Sequence, residues 1–291
     1  MLENKKILVT GALGKSCSHA AHLYLLLGGS VILSDRNGEQ TLPSHLASFA
    51  SRIIDARPSE DPSLIEKYLP DIVVCAPGMP LYHSLIVKAS AEKIPVYGEN
   101  DFAYEILRNL TDVVPFICGI TGTDGKSTTT ALIAHLLNEC GVTSIPCGNF
   151  GTPLSEILIK RIQGTPLPQF LSVELSSFQI ELTHFFHADS AILLNIAEDH
   201  LDRYKNMEEY SNAKFKLLSA MNEDDLFISK QPFLDQAASY AEKHNLKKPV
   251  FYNMFATNGQ RVVFVDDQND SISIRGQFIC RYSDFPLKGK H

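Results

Sequence analysis

The stretch Phe116-Ile-Cys-Gly-Ile-Thr-Gly-Thr-Asp-Gly-Lys-Ser-Thr-Thr-Thr130 constrains this chain more than any other. An apolar run suited to a buried strand meets a glycine-bracketed turn, Gly122 to Gly125, and a helix opens at Lys126-Ser127. That geometry aims backbone N–H groups at one spot beside the positive end of a helix dipole. Lys126 adds a full charge, and the Ser127 hydroxyl can complete the shell of a magnesium ion. The stretch therefore predicts a triphosphate cradle. It departs from the usual G-x-x-x-x-G-K-[ST] pattern because Ile120 stands at the first glycine.

Alternation extends the prediction to the rest of the chain. Lys6–Thr10 reads as a strand, 16–27 as a helix ended by Gly28-Gly29, and Ser30–Ser34 as a second strand with Asp35 at its tip. The turn between them, Gly11-Ala-Leu-Gly14, carries Leu13 where a dinucleotide turn needs glycine, so a nicotinamide dinucleotide is disfavoured against another nucleotide. A further strand falls in 71–78, a helix near 82–92, a strand at 94–97 and a helix over 99–110. Strands alternating with helices imply parallel sheets covered on both faces. Thr111–Pro115 has neither period and is the expected boundary between a first domain, 1–111, and a second, 112–291.

In the second domain, the helix after the loop places Leu132, Leu136 and Cys140 on one stripe, expected to pack on the sheet, with Ile133 and Leu137 beside it. Strands are expected at 170–175, 190–195, 226–229, 250–252, 261–265 and 271–274, the last three as an antiparallel patch. The fold class is thus α/β: a Rossmann-like parallel-sheet domain, then a P-loop-type α/β domain carrying that patch.

Two strand ends bear polar groups at the edge where parallel sheets bind ligands. Glu174 ends the first, in Ser172-Val-Glu-Leu-Ser-Ser-Phe-Gln179, and is placed to hold magnesium. Past the second lies Glu198-Asp-His-Leu-Asp-Arg-Tyr204, where His200 could ligate a metal with Asp199 or Asp202 orienting its ring; either acid could instead cap a helix. His184 and His187, flanking Phe185 and Phe186, read as structural. Lys214 borders the buried face of its helix, which spacing alone reads as a snorkelling side chain, whereas Lys216 is expected to face outward.

Composition narrows the function classes. A net charge of −7 without a basic stripe argues against nucleic acid as a partner. The six cysteines form no C-x-x-C pair, which disfavours zinc and redox motifs and fits reduced core thiols of a cytoplasmic protein. No run approaches the roughly 18 apolar residues of a membrane span.

Together these segments resemble the Mur ligase family over essentially the whole chain. The resemblance rests on Gly122-Thr-Asp-Gly-Lys-Ser-Thr128, Gly148-Asn-Phe-Gly151, Glu174-Leu-Ser-Ser-Phe-Gln-Ile-Glu181, Asn195-Ile-Ala-Glu-Asp-His-Leu-Asp-Arg-Tyr204, Ala213-Lys214 and Gly289-Lys-His291. The Ser-Ser-Phe-Gln and Glu-Asp-His-Leu-Asp-Arg-Tyr forms point to the branch that adds D-glutamate to UDP-N-acetylmuramoyl-L-alanine in peptidoglycan precursor synthesis.

The resemblance implies an ATP-dependent, monomeric ligase that works through an acyl phosphate with two magnesium ions. It implies that Gly122, Thr123, Asp124, Gly125, Lys126, Ser127 and Thr128 hold ATP. One metal would sit on Ser127 and Glu174, the other on His200 and a carbamylated Lys214. Asn149, Ser176 and Gln179 would line the substrate channel, and Leu13, Ser16, Asp35 and Arg36 would hold the uridine diphosphate end. Asp124 stands where the family usually has Asn. The family's C-terminal domain is absent from the sequence, so nucleotide binding with little ligation is expected. The competing expectations are a folylpolyglutamate synthase-like ligase and a non-catalytic nucleotide-binding module. The Ser-Ser-Phe-Gln segment speaks against the first, and the presence of Lys126, Glu174, His200 and Lys214 against the second.

Overall fold

A computed structural model describes residues 5–253, Arg281 and the backbone of three strands at 263–266, 271–274 and 277–280. The first sheet has five parallel strands: β1 (Lys6–Val9), β2 (Ser30–Leu33), β3 (Ile53–Asp55), β4 (Ile72–Cys75) and β5 (Val96–Gly98). Their order is β3-β2-β1-β4-β5, so the winding reverses between β1 and β4 and opens a crevice at their carboxyl ends. Helices α1 (Lys15–Leu26), α2 (Ser63–Tyr68), α3 (Ser84–Ala91) and α4 (Glu99–Leu110) cover it.

Alternation along the strands divides this sheet's contacts. Ile7, Val9, Val31, Leu33, Ile72 and Val74 join the large core that continues through α1 and α4 into the second half of the chain. Leu8, Ile32 and Val73 point the other way, onto Leu64 and Ile65 of α2 and Leu85 and Ala89 of α3. Burial on both faces is why the strands read as unbroken apolar runs.

Residues 111–115 carry the chain to the second sheet. It contains β6 (Phe116–Thr121), β7 (Ser144–Gly148), β8 (Phe170–Glu174), β9 (Ser190–Leu193), β10 (Leu226–Ser229) and β11 (Val250–Asn253), in the order β11-β10-β9-β6-β8-β7, all parallel. Its helices are α5 (Lys126–Glu139), α6 (Leu154–Ile162), α7 (Ser177–Glu181), α8 (Met207–Phe215) and α9 (Phe233–Lys243). Three further strands, β12 (Val263–Asp266), β13 (Ser271–Ile274) and β14 (Gln277–Cys280), form a separate antiparallel sheet.

Several sequence expectations need correction. The strand at Val250 belongs to the parallel sheet beside β10, and β14 takes its place in the antiparallel one. Edge strands β3 and β7 add to the expected set. β7 is interrupted by Pro146 and Gly148, which an edge tolerates and a pattern search rejects. The α5 stripe is reversed: Leu132 and Leu136 are 43% and 53% exposed and Cys140 is exposed, while Thr130 and Ala134 are buried. Small residues let this helix lie close to the sheet, and the Ser172 hydroxyl of β8 donates to Thr130 O at 2.9 Å. Residues 258–259, 268–270 and 289–291 lie outside the described residues.

The two halves meet along a polar-edged seam. Glu99 Oε1 accepts the Ser155 amide at 2.7 Å, and Asp101 Oδ1 accepts the amides of His184, Phe185 and Phe186 at 2.8–2.9 Å. The Lys15 ammonium donates to Gly151 O. Burial pushes the Glu99 carboxyl up to about 7, partly offset by the Ser155 amide.

Candidate functional site

The loop after β6 is held from behind by one side chain. Asn195, just beyond β9, accepts from the amides of Thr123 (3.1 Å) and Asp124 (2.9 Å) and donates to Asp124 O (3.0 Å). Gly122 and Gly125 adopt positive φ of 151° and 80°, which lets the chain turn into the helix. The Thr123 and Asp124 amides are therefore committed within the protein. The N–H groups of the first turn of α5 remain, since its helical bonds begin with Thr129 donating to Gly125 O. Ser127 and Thr128 are exposed on that turn.

Two lysines converge on the loop. Lys126 Nζ donates to Gly122 O (3.0 Å) and Thr123 O (2.7 Å), and Lys214 Nζ donates to the same Gly122 O at 3.0 Å. Lys214 is only 2% exposed and lies over the Tyr210 ring at 4.5 Å. It is buried and does not snorkel. Burial, and then the neighbouring Lys126 charge, bring its pKa down to about 7. Lys216 does not face outward either: its ammonium donates to Glu181 O at the end of α7.

Glu174, at the end of β8, stands in register between Ile120 of β6 and Gly148 of β7. Its Oε1 accepts from Asn149 Nδ2 at 2.7 Å, while Oε2 is buried with no hydrogen-bond partner. An acceptor so placed costs about 1–3 kcal/mol unless something satisfies it. A β-carbon at Gly148 (φ +93°) would lie 2.4 Å from Glu174 O, so glycine alone lets β7 wrap this residue.

His200 reaches the same area through aromatic packing. Its ring lies 4.9 Å from Phe178 and 5.9 Å from Tyr210, and the Tyr210 hydroxyl is 3.2 Å from Thr123 Oγ1. Asp199 lies 3.4 Å from its Nε2, whereas Asp202 is exposed and makes no such approach. Neither acid caps α8; Asn206 does, accepting from the Glu209 amide. The backbone of His200 is left-handed, at φ 54°, a conformation that costs a non-glycine residue about 1–3 kcal/mol.

Other expected residues hold the scaffold. Ser176 and Gln179 form a reciprocal capping box on α7. Asp35 is buried and accepts from the amides of Leu13 and Asn37, both at 3.0 Å. Arg36 pairs with Glu60 at 2.6 Å, and Ser16 lies half-buried in the first turn of α1. Asn195, Tyr210 and Arg203 are the residues that sequence reasoning left unassigned. A polar residue closing an apolar strand, as Asn195 does, was the available signal. At the opposite edge of the second sheet, His187 lies 3.7 Å from Asp189 and 3.5 Å from Asp225, the one group among the described residues with metal-binding proximity.

The donor set fits a magnesium-bound polyphosphate. Two ammonium groups and a free helix N-terminus face one loop, and a buried carboxylate oxygen lacks a partner.

Comparison with known proteins agrees with this chemistry. Residues 120–291 match the Mur ligase middle domain, and the chain belongs to the Mur ligase family. It is 38% identical over 228 residues to the UDP-N-acetylmuramoylalanine--D-glutamate ligase of Anaeromyxobacter dehalogenans, covering 78% of this chain and 46% of that one. The protein of the same name from Streptococcus thermophilus is 31% identical over 290 residues, covering 100% and 60%. The chain thus spans about half to three fifths of these relatives. Among solved structures, the UDP-N-acetylmuramate:L-alanyl-gamma-D-glutamyl-meso-diaminopimelate ligase from Neisseria meningitides superposes with a TM-score of 0.58 at 16% identity, covering 94% of this chain and 86% of that one, a likeness of fold. Among the described residues, no helix is long and apolar enough to cross a membrane.

Proposed function

We propose that this chain carries the nucleotide-binding part of an ATP-dependent ligase that joins D-glutamate to UDP-N-acetylmuramoyl-L-alanine in the cytoplasm, acting as a monomer. The reading rests on Lys126 and Lys214 meeting at Gly122 O, together with the unpartnered Glu174 oxygen. The names of the curated relatives support the substrate choice. Residues 1–111 hold the uridine diphosphate end, with Leu13, Ser16, Asp35 and Arg36 nearest to it. Residues 112–291 hold ATP.

The chemistry is carboxylate activation. The L-alanyl carboxylate oxygen bonds to the γ-phosphorus as the bond to the β-phosphate oxygen breaks and ADP leaves. The D-glutamate amine then forms a C–N bond, losing a proton and expelling phosphate. Lys126 and the α5 amides neutralise charge on the transferred group, the main requirement of phosphoryl transfer. Ser127 and Glu174 hold one magnesium ion, and His200 and carbamylated Lys214 the other; the ions supply Lewis-acid screening of the phosphates. Near its pKa of about 7, a substantial share of Lys214 is a neutral amine able to add carbon dioxide with loss of a proton. The resulting anion replaces a like-charge contact with Lys126 by an attraction. Asn149 keeps Glu174 oriented, and Ser176 and Gln179 fix the channel wall through their capping box.

Calorimetry tests the proposal. The chain is expected to bind Mg-ATP and UDP-N-acetylmuramoyl-L-alanine, and binding of the tripeptide precursor in preference to the L-alanyl one overturns the substrate assignment. Binding of Mg-ATP alone favours a plain nucleotide-binding module.

A further inference from the structure

Arg203 stands where the two halves of the site join, and nothing above gives it a role. It lies three residues beyond His200, in the turn closed by its own amide donating to His200 O at 3.0 Å. Its guanidinium reaches back across the seam. Nη1 donates to Pro77 O (3.2 Å) and Gly78 O (3.3 Å), and Nη2 to Met79 O at the outer limit of 3.5 Å. Nη2 also pairs with Glu181 Oε2 at 2.8 Å, and the planar group lies 4.0 Å from the centre of the Phe178 ring. That same ring packs on His200.

The segment it grips is not arbitrary. Pro77–Met79 follows β4, at the carboxyl edge where the winding of the first sheet reverses. Open parallel sheets take their ligands at that crevice. The Arg203 side chain is 12% exposed, so these bonds form largely out of water, where a planar five-donor fork holds geometry that a lysine cannot. One rigid side chain thus joins the crevice of the first sheet to the strained turn that carries His200.

We propose that Arg203 is a positioning residue that couples the Pro77–Met79 loop to the His200 turn, so that a nucleotide-sugar seated at the first sheet stiffens the turn at the second. This deepens the substrate reading above and rests on it for the identity of the ligand. The tie itself is a property of the free protein. Glu181 completes the device: its side chain neutralises the guanidinium, and its carbonyl accepts from Lys216 on the stretch that follows Lys214.

Hydrogen–deuterium exchange on the whole chain tests the proposal, comparing wild type with Arg203→Met and Arg203→Lys. Without ligand, Arg203→Met is expected to raise exchange of amides in both 78–83 and 200–206 by roughly 10-fold, with 6–34 unchanged. Equal exchange at 78–83 in wild type and variant overturns the tie. With saturating UDP-N-acetylmuramoyl-L-alanine, wild type should gain protection in both segments and Arg203→Met only in 78–83. Persisting protection at 200–206 in the variant overturns the coupling, and a merely structural role would not separate the two segments. If the nucleotide-sugar protects nothing in wild type, the substrate reading fails while the ligand-free comparison still decides the tie. Should Arg203→Met not fold, Arg203→Lys keeps the charge beside Glu181, loses the fork and gives the same readout at smaller amplitude.

Discussion

The chain contains two strand–turn–helix corners at the start of two parallel sheets, and they differ in what they leave unsatisfied. The corner between β1 and α1 is knitted by the protein itself. Asp35 accepts the Leu13 amide, and Lys15 reaches across to Gly151 O. The corner between β6 and α5 is tied by Asn195, by Thr123 bonded to Ala197, and by Lys126 and Lys214 donating to its carbonyls, and Glu174 nearby keeps one carboxylate oxygen without a partner. The same local fold thus carries different partners in its two places. The difference lies in the charge of the side chains bonded to each turn, an acid at the first and two lysines at the second. A glycine pattern says nothing about that.

The strongest way to break this contrast is to remove the charged groups of the second corner. Lys126→Ala or Glu174→Ala should cost at least ~10²-fold in phosphoryl transfer, read as ADP release in the presence of UDP-N-acetylmuramoyl-L-alanine. Lys214→Ala should also lose activity and regain part of it with added short carboxylic acids. Near wild-type rates in all three would remove the second corner from the site of phosphoryl transfer.

The seam between the corners offers a pH test. A carboxyl whose folded pKa is raised binds its proton more tightly when folded. The contribution of Glu99 therefore favours folding in full below about 4.5 and is lost as pH climbs through about 7. The loss is on the order of 3–4 kcal/mol, at about 1.4 kcal/mol per pH unit. Glu99→Gln should flatten that slope in urea titrations run from acid to neutral pH.

Smaller effects sharpen the comparison further. Asn195→Ala should lower stability by about 1–2 kcal/mol and weaken Mg-ATP binding, because the Asp124 amide loses its acceptor while the Thr123 amide keeps only the Asn195 carbonyl. Asp35→Asn should cost about 1 kcal/mol in thermal melts and leave Mg-ATP affinity unchanged. A matching loss of ATP affinity in Asp35→Asn would mean that the corners are not independent.

Much of the architecture could be read from alternation, because parallel strands buried on both faces print as apolar runs. The limits are equally physical. Val250–Asn253 looked like a hairpin partner because short strands near polar turns carry the same signature whether they pair locally or join a distant sheet edge. In α5 the large apolar residues invited the inward assignment, yet close packing selected Thr130 and Ala134. The site was legible where a charged residue ends a strand or opens a helix, as with Glu174 and Lys126. The partners of the neutral groups that do the holding were not legible. Asn195, Tyr210 and Asn149 act through bonds to residues 25 to 87 positions away, and no local pattern encodes such pairs.

The closeness of α5 to its sheet has a consequence for the cradle. With Thr130 and Ala134 as its fully buried contacts, the helix rests low on the sheet, and Leu132 and Leu136 are spent on the outside. The elevation of the first-turn amides above the Glu174 edge is therefore set by Thr130 and Ala134 and not by the loop. A branched side chain at position 134 would act as a shim. It would lift the amides as one rigid body away from the carboxylate they must face, with every residue of the loop unchanged.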